Sequence, residues 1–471
     1  MRLRVILISI LLLIPCFWQR RIQAVDLPSH IYNSWLAQQI ELGKAPGLVI
    51  APVSTNVLFD IMLYRLFDAF GSEPAQRIAV SLSVLIFFWG AFAFIAEVNG
   101  ARPWFLAPCL VMLSYSWVFY MGFSNFYLAS GLSLWALAVS VRRRGVAPAM
   151  AAAALLIVAY TAHAIPVLWA IAVIAYCRIA ERFSWRLRQL LLFLSAACVV
   201  GLRLWITHRY HAESTFHQVL EASGVDQVWV FGFKYIAVSI LLGTLWAFLL
   251  LRMSHVKGFQ KMLGDPYFQL CVLTALGILL IPSHIDLPQY RMALSFVTER
   301  MSLLQGILIC VYLAAADPPR WMRVAFIPLA VIYFSFIYSD TRAINNVEAR
   351  MEMLTRGLSL EDRVVSSFED PTARVQLWGH NLDRACLGRC LSYANYEPSS
   401  LAFRVQTTAP NRIVVSDIGD EGAIQDGGYR VKESDLPFYQ MTLCGGELCL
   451  RKLNAGDVTT HDIFIATPIL W

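Results

Sequence analysis

The sequence predicts an α-helical polytopic membrane protein that ends in a mixed α/β domain on the non-cytoplasmic side, and three observations carry that reading. The chain of 471 residues is 58% hydrophobic and 15% charged, where an ordinary soluble domain carries about 25% charged residues. Apolar runs approaching the ~20 residues that a bilayer crossing needs recur as far as residue 339. From residue 340 on, the apolar runs shorten to strand length, charge rises, and Pro and Gly recur between them.

The runs place spans near 4–18, 78–98, 104–121, 124–141, 146–162, 164–180, 189–206, 233–252, 267–282, 295–315 and 324–339, about eleven in all. Aromatics make up 13%, including 14 Trp, which suits belts at the two interfaces. The segment 147–179 is one apolar run broken at His163-Ala164-Ile165-Pro166, read as two spans joined by a turn. Residues 1–18 also have the basic start and short apolar core of a signal peptide, with Ala24 as a cleavage position. Gln19-Arg20-Arg21 intervene and the run ends in Phe17-Trp18, so the segment is read as a retained first span.

Basic loops set the orientation. Arg2/Arg4, Arg142-Arg143-Arg144, Arg178 to Arg188, Arg252 to Lys261 and Arg320/Arg323 fall on one side, which the positive-inside rule makes cytoplasmic. The N-terminus is then inside and the C-terminal domain outside. Arg20/Arg21 and the group Arg203, His208, Arg209 break the rule, and an outer cation is a candidate for holding an anion. The net charge of +6 contains no long Lys/Arg run, so a nucleic-acid partner is not expected.

Two domains follow: a membrane domain over 1–339, with a first outer loop over 19–77, and an outer α/β domain over 340–471. In the loop, Pro28 suits a first helical turn and Asp26 or Ser29 can cap it. Ile31, Trp35, Leu36 and Ile40 give that helix an apolar stripe. A second helix begins near Ser54-Thr55-Asn56, with Leu58, Ile61, Met62 and Leu66 on one face and Asp60 and Asp68 elsewhere. Both are expected to lie along the membrane surface. In the outer domain, 363–365, 412–415 and 462–465 read as strands and 341–356 as a helix leaving the membrane.

Of the ten Cys, Cys16, Cys109, Cys177, Cys198, Cys271 and Cys310 fall in apolar segments and read as packing residues. Cys386, Cys390, Cys444 and Cys449 lie in the outer domain, where disulfides are favoured over zinc, with three connectivities open. No Asn-x-Ser/Thr sequon occurs, which favours a bacterial inner membrane over a secretory-pathway lumen. Nucleotide-binding loops, dinucleotide fingerprints and the zincin and Gly-x-Ser-x-Gly motifs are absent from the sequence.

One stretch invites chemistry. Asp26-Leu-Pro-Ser-His30 follows the first span directly, and a carboxylate is stable at the bilayer edge although costly inside it. This stretch, Pro52, the helix 57–70 and Phe70-Gly71 through Ala75-Gln76-Arg77-Ile78 resemble the GT-C superfamily of polytopic glycosyltransferases. The resemblance covers residues 1–340 as architecture and 1–80 as motif. It departs where many relatives carry two adjacent acids, because here Asp26 stands alone with His30 four positions on.

The resemblance implies inverting transfer of a sugar from a polyprenyl-phosphate carrier to a lipid, glycan or protein acceptor on the outer face. Asp26 would be the base that takes the acceptor's proton, with His30 orienting it or sharing a metal; no cofactor is fixed by the resemblance, and a divalent cation is one option. The leaving phosphate needs cations, and His163, Arg203, His208, Arg209, Arg291 and Arg300 are the candidates to bind substrate. Tyr120-Met121-Gly122-Phe123-Ser124-Asn125 is an outer turn of the same character. Two rival readings are a transporter or flippase of lipid-linked glycans, and a non-enzymatic membrane anchor for the outer domain.

Overall fold

A computed structural model describes residues 2–142, 145–289 and 291–465; Arg143 and Arg144 of the basic loop lie outside them. The chain is mostly helical, and five helices are long and apolar enough to cross a membrane: Ser72–Asn99, Ser124–Arg142, Trp185–Arg209, Lys234–Lys257 and Arg320–Thr355. The expectation of eleven spans is therefore not met by length. Val146–Ala162, Ala164–Ala180 and Pro266–Leu280 are shorter apolar helices; at 1.5 Å per residue they reach roughly 22–26 Å, short of the ~30 Å hydrocarbon core. The run at 104–121 is broken. A 3₁₀ turn Trp104–Leu106 leads into Ala107–Ser114, Tyr115 leaves helical geometry, and a single turn Trp117–Tyr120 follows.

Lipid exposure supports the membrane assignment. Only 6% of the apolar window in Trp185–Arg209 is buried; Phe193, Leu194, Leu204 and Trp205 all face outward. Apolar surface of this extent is not left in water. The protein is thus a multi-pass membrane protein.

The chain forms two compact units. One holds residues 83–119 and 125–336; the other runs through residue 82, takes in 120–124, and resumes at 337. The first outer loop and the C-terminal region therefore belong to one unit. In the helical unit, Val146–Ala162 and Ala164–Ala180 form the expected hairpin, turning at His163.

In the loop-containing unit, Pro28 sits in the first turn of Leu27–Glu41 as expected. This helix is not a surface helix. Residues 27 to 34 are all buried, polar Ser29, His30, Asn33 and Ser34 among them. Its apolar stripe is thus only part of what it buries, since strand Leu48–Ile50 pairs antiparallel with Val405–Thr407 and ties the loop to the C-terminal region. The second helix, Leu58–Phe70, turns Phe59, Leu63 and Tyr64 inward and leaves Ile61 exposed.

The C-terminal region is mixed α/β. Its four-stranded sheet has the order Leu391–Ser392, Arg363–Ser366, Phe438–Cys444, Glu447–Leu453. The first three strands run parallel and the last closes an antiparallel hairpin. Val365, Tyr393, Val415, Ile424, Tyr429, Val431, Phe438 and Leu453 form its core. Residues 412–415, expected as a strand, are irregular. Val415 instead donates its N–H to the carbonyl of Tyr393. The expected exit helix 341–356 is the outer half of the continuous Arg320–Thr355. Disulfides join Cys386 to Cys390 and Cys444 to Cys449, choosing one of the three open connectivities. Their presence assigns this region to an oxidising, non-cytoplasmic face.

Candidate active site around Asp26

Asp26 occupies the N-cap position of Leu27–Glu41 but makes no side-chain capping bond. Its carboxylate does not cap this helix. The backbone at this point is gripped by the turn 120–124. Val25 and Asp26 donate N–H bonds to the carbonyls of Tyr120 and Met121, at 2.8 and 3.2 Å. Gly122 has φ +80°, and a Cβ there would stand 2.5 Å from the Asp26 nitrogen. Only glycine allows that approach, so the outer turn singled out in the sequence positions the Asp26 backbone.

One neighbour of Asp26 was not anticipated. His380 places Nε2 3.8 Å from Asp26 Oδ1, and its Nδ1 lies 3.7 Å from Asp383 Oδ2. Burial, followed by the like charge of His30, pushes His380 down to about 4, so this ring is neutral between two carboxylates. Asp383 is pushed up to about 7, chiefly by burial, against a hydrogen bond from the Ser392 hydroxyl and with Asp26 and Glu421 adding to the rise. The His380 ring also lies 4.9 Å from that of Tyr396.

His30 is the opposite case. Burial works against its charge, but Asp60 more than compensates and raises it to about 10. Its Nδ1–H donates to Asp60 Oδ1 at 2.6 Å and lies 3.7 Å from Glu397 Oε1. Asp60, set aside in the sequence as lying off the apolar face, is therefore the anchor of the His30 imidazolium. Glu397 is raised by burial in spite of His30, and accepts from the Ser29 hydroxyl at 3.1 Å. Asn33 and Asn395 complete this group. Asn395 donates to Asn33 Oδ1 at 2.9 Å, and Asn33 donates to the Ser29 hydroxyl at 3.1 Å.

The ends of the chain thus converge on one acid-rich cluster of Asp26, Asp60, Asp383 and Glu397 around His30 and His380. Among the described residues no group of three or more His, Cys, Asp or Glu is set to hold a metal ion. The His30 Nδ1 is committed to Asp60, and the two ring nitrogens of His380 face different carboxylates, Nε2 toward Asp26 and Nδ1 toward Asp383.

The outer cations that break the positive-inside rule divide. Arg21 is bound to Glu352 at 2.5 Å and Arg20 to Glu73 at 2.8 Å, so their anions are the chain's own. The other candidates lie in the helical unit. His163 accepts from the Ile165 N–H at 3.2 Å, capping Ala164–Ala180, and packs its ring on Phe126 at 5.4 Å. Arg203 donates to the Ser214 hydroxyl and the Leu280 carbonyl, at 2.7 and 2.6 Å. His208 and Arg209 are exposed in the last turn of Trp185–Arg209. Arg291 is exposed, and Arg300 is half-buried in the first turn of Val297–Leu313.

No family model, no curated protein and no solved structure matches this chain.

Proposed function

We propose that the chain is an integral membrane glycosyltransferase of the bacterial inner membrane, its five long apolar helices crossing the bilayer. It would move a sugar from a polyprenyl-phosphate carrier to an acceptor hydroxyl on the outer face. The observation that carries the reading is the Asp26 carboxylate set beside the neutral imidazole of His380 within an acid-rich cluster. Perturbed groups of this kind concentrate at functional sites.

In the proposed step Asp26 accepts the acceptor's O–H proton as that oxygen bonds to the anomeric carbon. The bond from that carbon to the carrier phosphate breaks, and the phosphate leaves with the electron pair as an anion. His380 would act as a positioning residue, its neutral ring packed 3.8 Å from Asp26 and 3.7 Å from Asp383. For the carrier phosphate the candidates stay those of the sequence, His163, Arg203, His208, Arg209, Arg291 and Arg300.

The test is mass spectrometry of envelope glycolipids and glycans in a deletion strain complemented with wild type or Asp26→Asn. Loss of a positioned base costs about 10²–10⁴-fold in rate, so a glycan restored by wild type should stay missing with Asp26→Asn at equal expression. Full restoration by Asp26→Asn would defeat the proposal and move the flippase and anchor readings ahead.

A further inference from the structure

The helical unit contains a cavity of about 620 Å³ lined along two helix faces, well within the ~300–1,000 Å³ of small-molecule sites. Ala149, Ala152, Ala153 and Leu156 supply one face, at the i, i+3, i+4, i+7 spacing of a single helical stripe. Ile171, Ile174, Ala175, Arg178 and Arg182 supply the other, with Ser140 and Gly145 at one end. The two helices are antiparallel about the turn at His163. Ala149 therefore lies at the level of Arg178, and Leu156 at the level of Ile171. The groove has small residues for a floor, larger ones closing its inner end, and cations at its mouth. From Ala149 to Leu156 it is about 10 Å deep, one third of the hydrocarbon thickness.

The mouth lies on the side bearing Arg142, Arg178, Arg186 and Arg188, which the positive-inside rule makes cytoplasmic. Arg178 donates to the Ser140 carbonyl at 2.6 Å and approaches Glu181 at 3.7 Å. Arg188 is spent on the carbonyls of Ala180, Phe183 and Gly264. Arg182 is exposed, and among the described residues its guanidinium has no ion pair. Among the described residues Glu181 is the one acid on the lining, so these residues keep a positive excess. An apolar slot with a cationic rim at headgroup level complements one kind of molecule, an acyl chain carrying an anionic head.

We propose that this groove binds an anionic glycerophospholipid of the cytoplasmic leaflet. One acyl chain would lie over Ala149, Ala153 and Ala175, and the phosphate would meet Arg182 and Arg178. The site shares no residue with the Asp26 cluster and does not depend on the proposed transfer reaction.

Native mass spectrometry of the full chain in detergent, offered equal amounts of phosphatidylglycerol and phosphatidylcholine, tests it. The wild type should retain phosphatidylglycerol preferentially. Each basic residue near an anionic lipid contributes enough to change retention about fivefold, so Arg182→Gln should cut the preference by that factor and Arg178→Gln/Arg182→Gln should abolish it. Ala153→Trp, which fills the floor, should reduce retention of both lipids. Equal retention of the two lipids by wild type, or an unchanged preference in Arg182→Gln, would overturn the proposal. Because Arg182 is exposed, that variant remains informative even where the double variant fails to fold. Complete displacement of phosphatidylglycerol by equimolar undecaprenyl phosphate would also overturn it, reassigning the groove to the carrier lipid.

Discussion

Two buried ionic networks lie in the same unit and differ in their balance of charge. In the first, Arg21 and Arg384 face Glu348 and Glu352. Arg384 meets Glu348 at 3.2 Å, Arg21 meets Glu352 at 2.5 Å, and Gln23 donates to Glu348 at 2.8 Å. Cations and anions match one for one, and Asn345 bonds both the N–H and the carbonyl of Arg21. In the second, four carboxylates surround two histidines, and one of those histidines is neutral. A balanced network can be complete as structure. An acid-rich one holds its charge only by shifting proton affinities, as Asp383, Glu397 and His380 show. The difference separates a charge-balanced clasp from a cluster whose proton affinities are displaced.

The largest effect should come from the clasp. Arg384 is buried and also donates to the Ile22 carbonyl at 3.1 Å. Arg384→Met leaves Glu348 buried without that partner, a change that typically costs about 3–5 kcal/mol. Thermal unfolding of the purified protein in detergent should show a large drop in midpoint. Asp26→Asn, which loses no capping bond, should leave the midpoint close to wild type while abolishing transfer. Equal destabilisation by the two variants would erase the distinction and make the acid cluster a second clasp.

Proton linkage sharpens the comparison next. The folded His30 holds its proton to about 10, against an ordinary value of 6.5. Its contribution to stability is therefore fully present below about pH 6.5 and is lost as pH rises through 10. Glu397, also raised, adds a loss of the same sign. Wild-type melting temperature should fall between pH 7 and 10. Asp60→Asn removes the main cause of the His30 shift, so its melting temperature should start lower and fall less steeply. Parallel pH profiles for the two proteins would mean that Asp60 does not hold the His30 charge.

How much of this was legible varies by residue. Asp26 and His30 stood out because an acid and an imidazole directly follow an apolar run, a signal contained in five positions. The four cysteines could be assigned to disulfides because compartment chemistry acts on composition. His380, Asp383 and Glu397 could not be connected to them, because contacts spanning more than 350 residues leave no local trace. A weak signal did exist: residues 378–397 crowd His, Asp, Arg, Ser, Asn and Glu around two cysteines. Periodicity misled twice. The stripe Ile31, Trp35, Leu36, Ile40 suggested a half-exposed helix, whereas polar Ser29, His30 and Asn33 are buried by hydrogen-bonding across to 395–397 and to Asp60. Short apolar helices also read as full spans, because hydropathy registers composition whether or not a Ser114–Ser116 break interrupts the helix.

The smallest effect belongs to the exposed edge of the clasp. Arg20 pairs with Glu73 at 2.8 Å and reaches Glu352 at 3.9 Å, but its side chain is 61% exposed and that of Glu73 45%. Solvent screens such pairs, and ordering two long side chains opposes them, so they contribute about 0–1 kcal/mol. Arg20→Gln should shift the unfolding midpoint slightly at low salt. The shift should vanish near 1 M salt, where screening acts over ~3 Å. Arg384→Met should keep its full effect at both ionic strengths, because its charges are shielded by protein rather than by ions. If salt weakened both variants alike, the Arg384–Glu348 pair would have to be open to water, and the clasp would lose the burial that distinguishes it from a surface pair.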